Sequence, residues 1–247
     1  MSKIVFKIKR QENSKADPYW EYFDFKELDE SLTVAAVLKF ISKKPVNAEG
    51  RVVTPVVWAG DCGNACVGAC LMLINSRPRL ACQTKIESLE RPISLEPLSK
   101  FTVQRDLLID RSKIELNLQQ MECWRAMDGY HKTKDSSTPV VSSSQTAQAV
   151  NSCISCGACL EACPHFQAAS DFVGPLTLIQ AFRHLSSSKN DSSKDHVIQK
   201  LATDAGVLGC CNVQNCQRVC PRNIPITDAI GQLKRMVFKK TVKGFLG

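Results

Sequence analysis

The sequence contains no run of 18 consecutive apolar residues, so it offers no segment that crosses a bilayer unaided. It also lacks a secretory signal: Lys3, Lys7 and Lys9 interrupt the apolar run nearest the start, and the expectation is a chain that is not exported. No Gly-x-Gly-x-x-Gly occurs, so the dinucleotide-binding fingerprint is missing. Histidine is scarce. His131, His165, His184 and His196 are the only four, and none stands in a motif with a carboxylate. Each is read as a surface or satisfied side chain, with His165, directly after Cys163-Pro164, the one placed to matter. The basic residues adjoin no recognised nucleic-acid motif and the three Trp are far apart, so no nucleic-acid partner is expected.

What remains is an ordinary soluble composition with one outlier. The 247 residues suffice for one large or two small domains. Apolar residues at 44% and charged residues at 23% exclude global disorder. The net charge of +8 is spread out except at the end of the chain. There Lys234, Arg235, Lys239, Lys240 and Lys243 alternate with Met236, Val237, Phe238 and Phe245. That pattern reads either as a solvated helix end or as a surface for an anionic membrane face or an acidic partner. The outlier is cysteine: thirteen residues, clustered. In a reducing compartment clustered thiols point to metal before disulfides.

The first hundred residues read as β-rich with one helix. Ile4 to Lys9 alternates apolar and polar, and Trp20 to Phe25 gives a second strand for a hairpin. Ser31 and Thr33 are N-cap candidates ahead of Val34, Val37, Leu38 and Ile41 at helical spacing. Pro55 to Trp58 is strand-like, a Cys-rich loop follows, Leu71 to Ile74 returns as a strand, and Asn75-Ser76 before Arg77-Pro78 reads as a turn. This order suits a small β-grasp domain. From Leu107 the pattern through Met121 is helix-compatible, and Lys132 to Gln148 reads as a polar linker. Pro175–Leu185, Asp195–Ala205 and Thr227–Phe238 are helix candidates, with a polar loop at Ser186–Lys194. The expected division is 1–105 and 106–247.

The thiol spacing carries the chemistry. Cys153, Cys156, Cys159 and Cys163 form Cys-x2-Cys-x2-Cys-x3-Cys, closed by Pro164. In the bacterial-ferredoxin run three such thiolates wrap one cubane and the fourth ligates the other cluster. The same offsets from Cys210 fall on Val213, Cys216 and Cys220, then Pro221. The template recurs with one Cys replaced by Val. One cluster then takes Cys153, Cys156, Cys159 and Cys220. The other takes Cys163, Cys210 and Cys216, a three-thiolate set suited to 3Fe–4S. Cys211 adjoins this set outside the template. Structural zinc prefers paired Cys-x2-Cys knuckles and leaves this repeat unexplained.

Earlier in the chain stand Cys62, Cys66, Cys70 and Cys82. The plant-type 2Fe–2S spacing is Cys-x4-Cys-x2-Cys and a distant Cys. Here the middle Cys comes one position early, with Val67 where the pattern has Cys. All four are assigned as ligands. Eleven of thirteen Cys are thereby used, leaving Cys123 and Cys211; Cys123 is read as structural.

Taken together, these motifs resemble the iron–sulfur subunits of succinate dehydrogenase and fumarate reductase. The resemblance runs nearly end to end. It includes Ile74-Asn75-Ser76-Arg77-Pro78-Arg79-Leu80-Ala81-Cys82, the segment Pro97 to Ser112, the run Cys153 to Pro164, and Asn215-Cys216-Gln217-Arg218-Val219-Cys220-Pro221. It implies an α+β chain: a β-grasp plant-type 2Fe–2S ferredoxin domain followed by an all-α bacterial-type ferredoxin domain. It implies electron transfer, in the tricarboxylic acid cycle and respiratory chain, between a flavoprotein subunit carrying FAD and a quinone at a membrane anchor. The order would be 2Fe–2S, 4Fe–4S, 3Fe–4S, and the location the cytoplasmic face of the cell membrane. No residue of this chain would perform the dicarboxylate chemistry.

The chain departs from that pattern at the quinone end. Some members place Trp and His where this chain has Ala168 and Cys211. His165, Phe166 and Cys211 are the candidates near quinone here. Gln214 and Asn215 resemble the menaquinone-linked branch, which implies haem b in the anchor. Subunits of other flavin-linked dehydrogenases, such as those of glycolate or glycerol-phosphate oxidation, generally resemble the second domain alone.

Overall fold

In the computed structural model, residues 3–60, 62–123, 144–187 and 191–246 are described. They fall into two compact units, Met1–Arg111 with Ile154–Glu161 and Ser112–Cys153 with Ala162–Gly247.

The first unit is built on a five-stranded sheet. Strand β1 (Ile4–Arg10) buries every second side chain, as its alternation requires. It pairs antiparallel with β2 (Tyr19–Phe25), Ile4 opposite Phe25. Strands β3 (Leu71–Ile74) and β4 (Arg77–Leu80) form a second hairpin. Its two-residue turn is Asn75-Ser76, both at positive φ, the geometry that matches strand twist. Strand β5 (Ile93–Glu96) lies between the hairpins, parallel to β1 and antiparallel to β3, giving the order β2-β1-β5-β3-β4. Helix α1 (Val34–Lys43) is capped by Thr33, whose hydroxyl accepts from Ala36 N. Its apolar face, Val34, Val37, Leu38 and Ile41, is buried. Each such side chain contributes roughly 1.5–3 kcal/mol. This is the β-grasp arrangement expected from the sequence.

Two expected elements differ. Pro55–Trp58 is not a strand. Pro55 has no N–H to give a ladder, and Val57 N donates instead to the Asp106 carboxylate at 2.9 Å. Leu107 does not begin a helix: β6 (Val103–Arg105) and β7 (Leu108–Ile109) make a short hairpin around Asp106, which sits at φ +48°. Helix α2 (Ser112–Gln120) starts only afterwards.

In its described residues the second unit contains helices and no strand. They are α2, α3 (Gln145–Val150), α5 (Gly174–Ser187), α6 (Asp191–Leu201), α7 (Asn215–Arg218) and α8 (Ile226–Leu246). The four-residue α4 (Ala158–Glu161) belongs to the first unit. Along α8, Ile226, Ala229, Ile230, Leu233 and Val237 are buried at helical spacing. They form one core with Leu176, Ile179, Phe182 and Leu185 of α5. Buried Asn117 and Thr177 both donate to Val173 O, at 3.2 and 3.0 Å, so each buried polar side chain finds its partner where α5 begins. Helix α6 starts at Asp191, four residues before the expected Asp195, and α3 occupies the end of the expected linker. The rest of that linker from Lys132 to Ser143, and His131, lie outside the described residues, as do the side chains of Lys243 and Phe245. No described helix is long and apolar enough to cross a membrane.

Candidate metal centres

Among the thirteen Cys no disulfide forms. The first group sits on a loop folded by left-handed residues: Gly63, Ala65 and Gly68 have φ of +73°, +52° and +69°. That backbone turns successive N–H groups toward one sulfur. Cys66 N donates to Cys62 Sγ at 3.1 Å. Together with the N–H groups of Asn64 and Val67 it brings the Cys62 thiol down to about 7. A thiolate is the form that binds metal. Cys70 and Cys82 are buried with their sulfurs 3.4 Å apart. The segment of Cys82 is fixed from α1, whose first amides Val34 N and Ala35 N donate to Thr84 O and Ala81 O. Cys66 and Val67 are both exposed on the loop.

A buried ion pair anchors the approach to this loop. Arg10 is 1% exposed and Asp106 2%. Arg10 donates to Asp106 at 2.9 Å, to Glu21, and to both oxygens of Thr54 at 3.0 Å. Burial pulls the Arg10 pKa down, and Asp106 and Glu21 more than reverse it. The Asp106 carboxylate also takes Gln11 N and Val57 N, so it ties β1 to the strand-like segment that runs into Cys62.

In the second group, Cys156 and Cys159 are buried in the first unit. Ser155 and Gly157 before and between them have φ of +51° and +92°. Glu161 closes this segment by accepting from Ser99 N, Ser99 Oγ and Lys100 N. Gly68 of the first loop abuts Cys156, and Arg111 Nη2 donates to Gly68 O at 3.2 Å. Cys153 and Cys220 belong to the second unit.

The third group is gathered within the second unit. Cys163, Cys210 and Cys216 line one open recess, together with His165, Cys211 and Val213. Burial pushes the Cys216 thiol up to about 11, and the nearby charge of Cys163 and Cys210 adds to the rise. Three convergent thiols with mutual repulsion are a donor set that cationic iron would relieve. Lys234 Nζ holds Cys210 O at 2.7 Å, and Lys113 Nζ holds the carbonyls of Gln167, Ala168 and Ser170 at 2.8, 2.6 and 3.0 Å. Cys211 Sγ lies 3.9 Å from His165 Nδ1. Phe166 is fully buried, 5.2 Å beneath Lys113 Nζ, and is not in the recess lining. Cys123 is pushed up to about 12 by burial, as a structural thiol would be. Among the described residues, no three His, Cys, Asp or Glu side chains close into the shell of a single metal ion. A polynuclear cluster spreads its thiolates further than one ion does.

Residues 5–116 match the model of a 2Fe–2S iron–sulfur cluster binding domain and residues 149–224 that of a 4Fe–4S dicluster domain. The succinate dehydrogenase iron–sulfur subunit of Bacillus subtilis is 34% identical over 244 residues, covering 99% of this chain and 96% of that protein. The chain belongs to the family of succinate dehydrogenase and fumarate reductase iron–sulfur subunits. The fumarate reductase iron–sulfur subunit of Wolinella succinogenes is 30% identical, covering 94% of each. The fold agrees with a chain of the Mycobacterium smegmatis Sdh1 complex in the apo form, at TM-score 0.73, 20% identity and 96% coverage of both. As a family member, this iron–sulfur subunit carries a 2Fe–2S domain followed by a 4Fe–4S dicluster domain.

Sequence reasoning assigns no part in the metal centres to Arg10, Arg111, Lys113 or Lys234; it reads Lys234 only as part of the basic tail and Arg111 only as part of the segment Pro97 to Ser112. Each acts on a residue distant in sequence, and no local signal marks such a partner.

Proposed function

We propose that the subunit holds three clusters: 2Fe–2S on Cys62, Cys66, Cys70 and Cys82; 4Fe–4S on Cys153, Cys156, Cys159 and Cys220; and 3Fe–4S on Cys163, Cys210 and Cys216. When bound, the clusters supply one-electron transfer between the FAD of a flavoprotein subunit and a quinone at a membrane anchor that contains haem b. The protein's part is to supply thiolates, aim N–H groups at sulfur and keep water from the buried ligands. A division near residue 105 separates the flavoprotein-facing domain from the membrane-facing one. His165 and Cys211 form the quinone vicinity, since they share the recess with the three-thiol set. The observation that carries this reading is Val213: it stands at the missing template position and lines the same recess as Cys163, Cys210 and Cys216.

Peripheral attachment at the cytoplasmic face of the cell membrane is supported by one face of α8. Lys234 is engaged with Cys210 O and Lys240 with Asp195. Arg235, Phe238, Lys239 and Val242 are exposed and spaced i, i+3, i+4, i+7. That is a basic stripe with apolar side chains, suited to an anionic lipid surface beside the anchor.

Low-temperature EPR of the complex purified anaerobically tests the reading. An oxidised 3Fe–4S signal with 2Fe–2S and 4Fe–4S signals after dithionite is the expected result. A reduced spectrum without 2Fe–2S would overturn the assignment of Cys66 and its loop.

A further inference from the structure

Gly68 and Cys156 come from different Cys runs yet meet inside one compact unit. A Cβ on Gly68 would stand 2.5 Å from Cys156 Cβ and 2.7 Å from its Cα. Only hydrogen fits there, and φ of +69° disfavours a side chain independently. Gly68 lies two residues before Cys70, so the two runs touch beside a thiol of each. Arg111 closes on the same point through its 3.2 Å hydrogen bond to Gly68 O. Burial pulls the Arg111 pKa down, and the negative charges of Cys156 and Cys70 pull against it. A guanidinium keeps its charge at any working pH. One fixed, half-buried cation therefore serves thiols of both runs.

We infer that Arg111 is a shared electrostatic positioning residue, raising the reduction potentials of the 2Fe–2S and 4Fe–4S clusters together while holding their loops in contact. The inference rests on the ligand assignment above. Its physical basis is the charge of the reduced state. Adding an electron makes a cluster more negative, and a nearby cation in a low-dielectric setting stabilises that state over the oxidised one. The hydrogen bond to Gly68 O occupies one arm of a rigid planar fork, which keeps the charge at the junction rather than in solvent.

The test is an EPR-monitored redox titration of the complex containing wild type, Arg111→Gln, Arg111→Lys or Arg51→Gln, after iron and sulfide have been counted. Arg51 is an exposed arginine paired with Glu49 and serves as a surface-charge control. The expected result is a downward shift of both midpoint potentials in Arg111→Gln, with both retained in Arg111→Lys and in Arg51→Gln. Unshifted potentials in Arg111→Gln, or a shift confined to one cluster, overturn the inference. So does an equal shift in the Gln and Lys variants, which would make shape rather than charge the cause. If Arg111→Gln loses its clusters, Arg111→Lys decides: wild-type content and potentials uphold the role of charge, and loss there too removes it. A wild-type complex lacking either reduced signal would instead count against the ligand assignment.

Discussion

Val213 is the residue on which the proposed third cluster turns. A Val supplies no ligand, and it lines the recess with Cys163, Cys210 and Cys216 at the position where the repeat has Cys. Val213→Cys is expected to replace the oxidised 3Fe–4S signal by a 4Fe–4S cluster and to impair quinone reduction. EPR and a quinone-reduction assay check both parts, and an unaltered 3Fe signal would mean that the repeat is misaligned. Asp106 is the residue on which the first loop rests. Removing Asp106 takes one of the two carboxylates from buried Arg10 and leaves Gln11 N and Val57 N without their acceptor, and losing a partner of a buried pair costs about 3–5 kcal/mol. Asp106→Ala is expected to lose that amount in denaturant unfolding of the apoprotein. A loss below about 1 kcal/mol would show that Glu21 alone satisfies Arg10.

Among the elements, α2 acts at a distance through Lys113. Its ammonium gathers three carbonyls of the turn after Cys163, and charge-assisted bonds of this kind contribute about 1.5–3 kcal/mol. Lys113→Met should lower thermal stability and speed loss of the 3Fe–4S signal on dilution. If the signal's lifetime is unchanged, the turn is held by its own Ser170–Gln167 bonds instead. Gly68→Ala should destabilise the first unit by about 1–3 kcal/mol, since it adds left-handed strain to a steric clash.

Elements with a strong local pattern were readable from sequence. β1 shows period two, α1 shows helical spacing after Thr33, and β3 is bounded by a turn at Asn75-Ser76. The missed strands lack such patterns. Arg77-Pro78, read as part of the turn, instead begins β4, where Pro78 is tolerated because β4 is an edge strand; β5 is four residues long and lies between β1 and β3. Pro55–Trp58 looked like a strand because its composition is right, but the buried Asp106 carboxylate takes its hydrogen bond. The spacing also groups Cys163, Cys210 and Cys216, which line one recess, because a shared site constrains spacing along the chain. Arg111 was not, because what makes it important is a contact with Gly68 across 43 residues.

For the whole molecule, the basic stripe on α8 predicts a salt-dependent part of membrane attachment. Screening weakens lysine and arginine contacts with anionic lipid. Arg235→Gln with Lys239→Gln should reduce binding of the full chain to anionic vesicles at low salt by several-fold and leave neutral vesicles unaffected. Equal binding of variant and wild type would assign attachment to the anchor alone.

The first unit runs to Arg111 and then takes in Ile154–Glu161 from much later in the chain. On the ribosome this imposes a delay. Fifty residues separate Arg111 from Glu161, about 3–10 s of synthesis at 5–20 residues per second. Until they emerge, Ser99 and Lys100 lack their carboxylate and Gly68 lacks its neighbour. The first unit of the nascent chain therefore stays unfinished, and a cluster delivered to it meets its complete surroundings only after translation has passed the second Cys run.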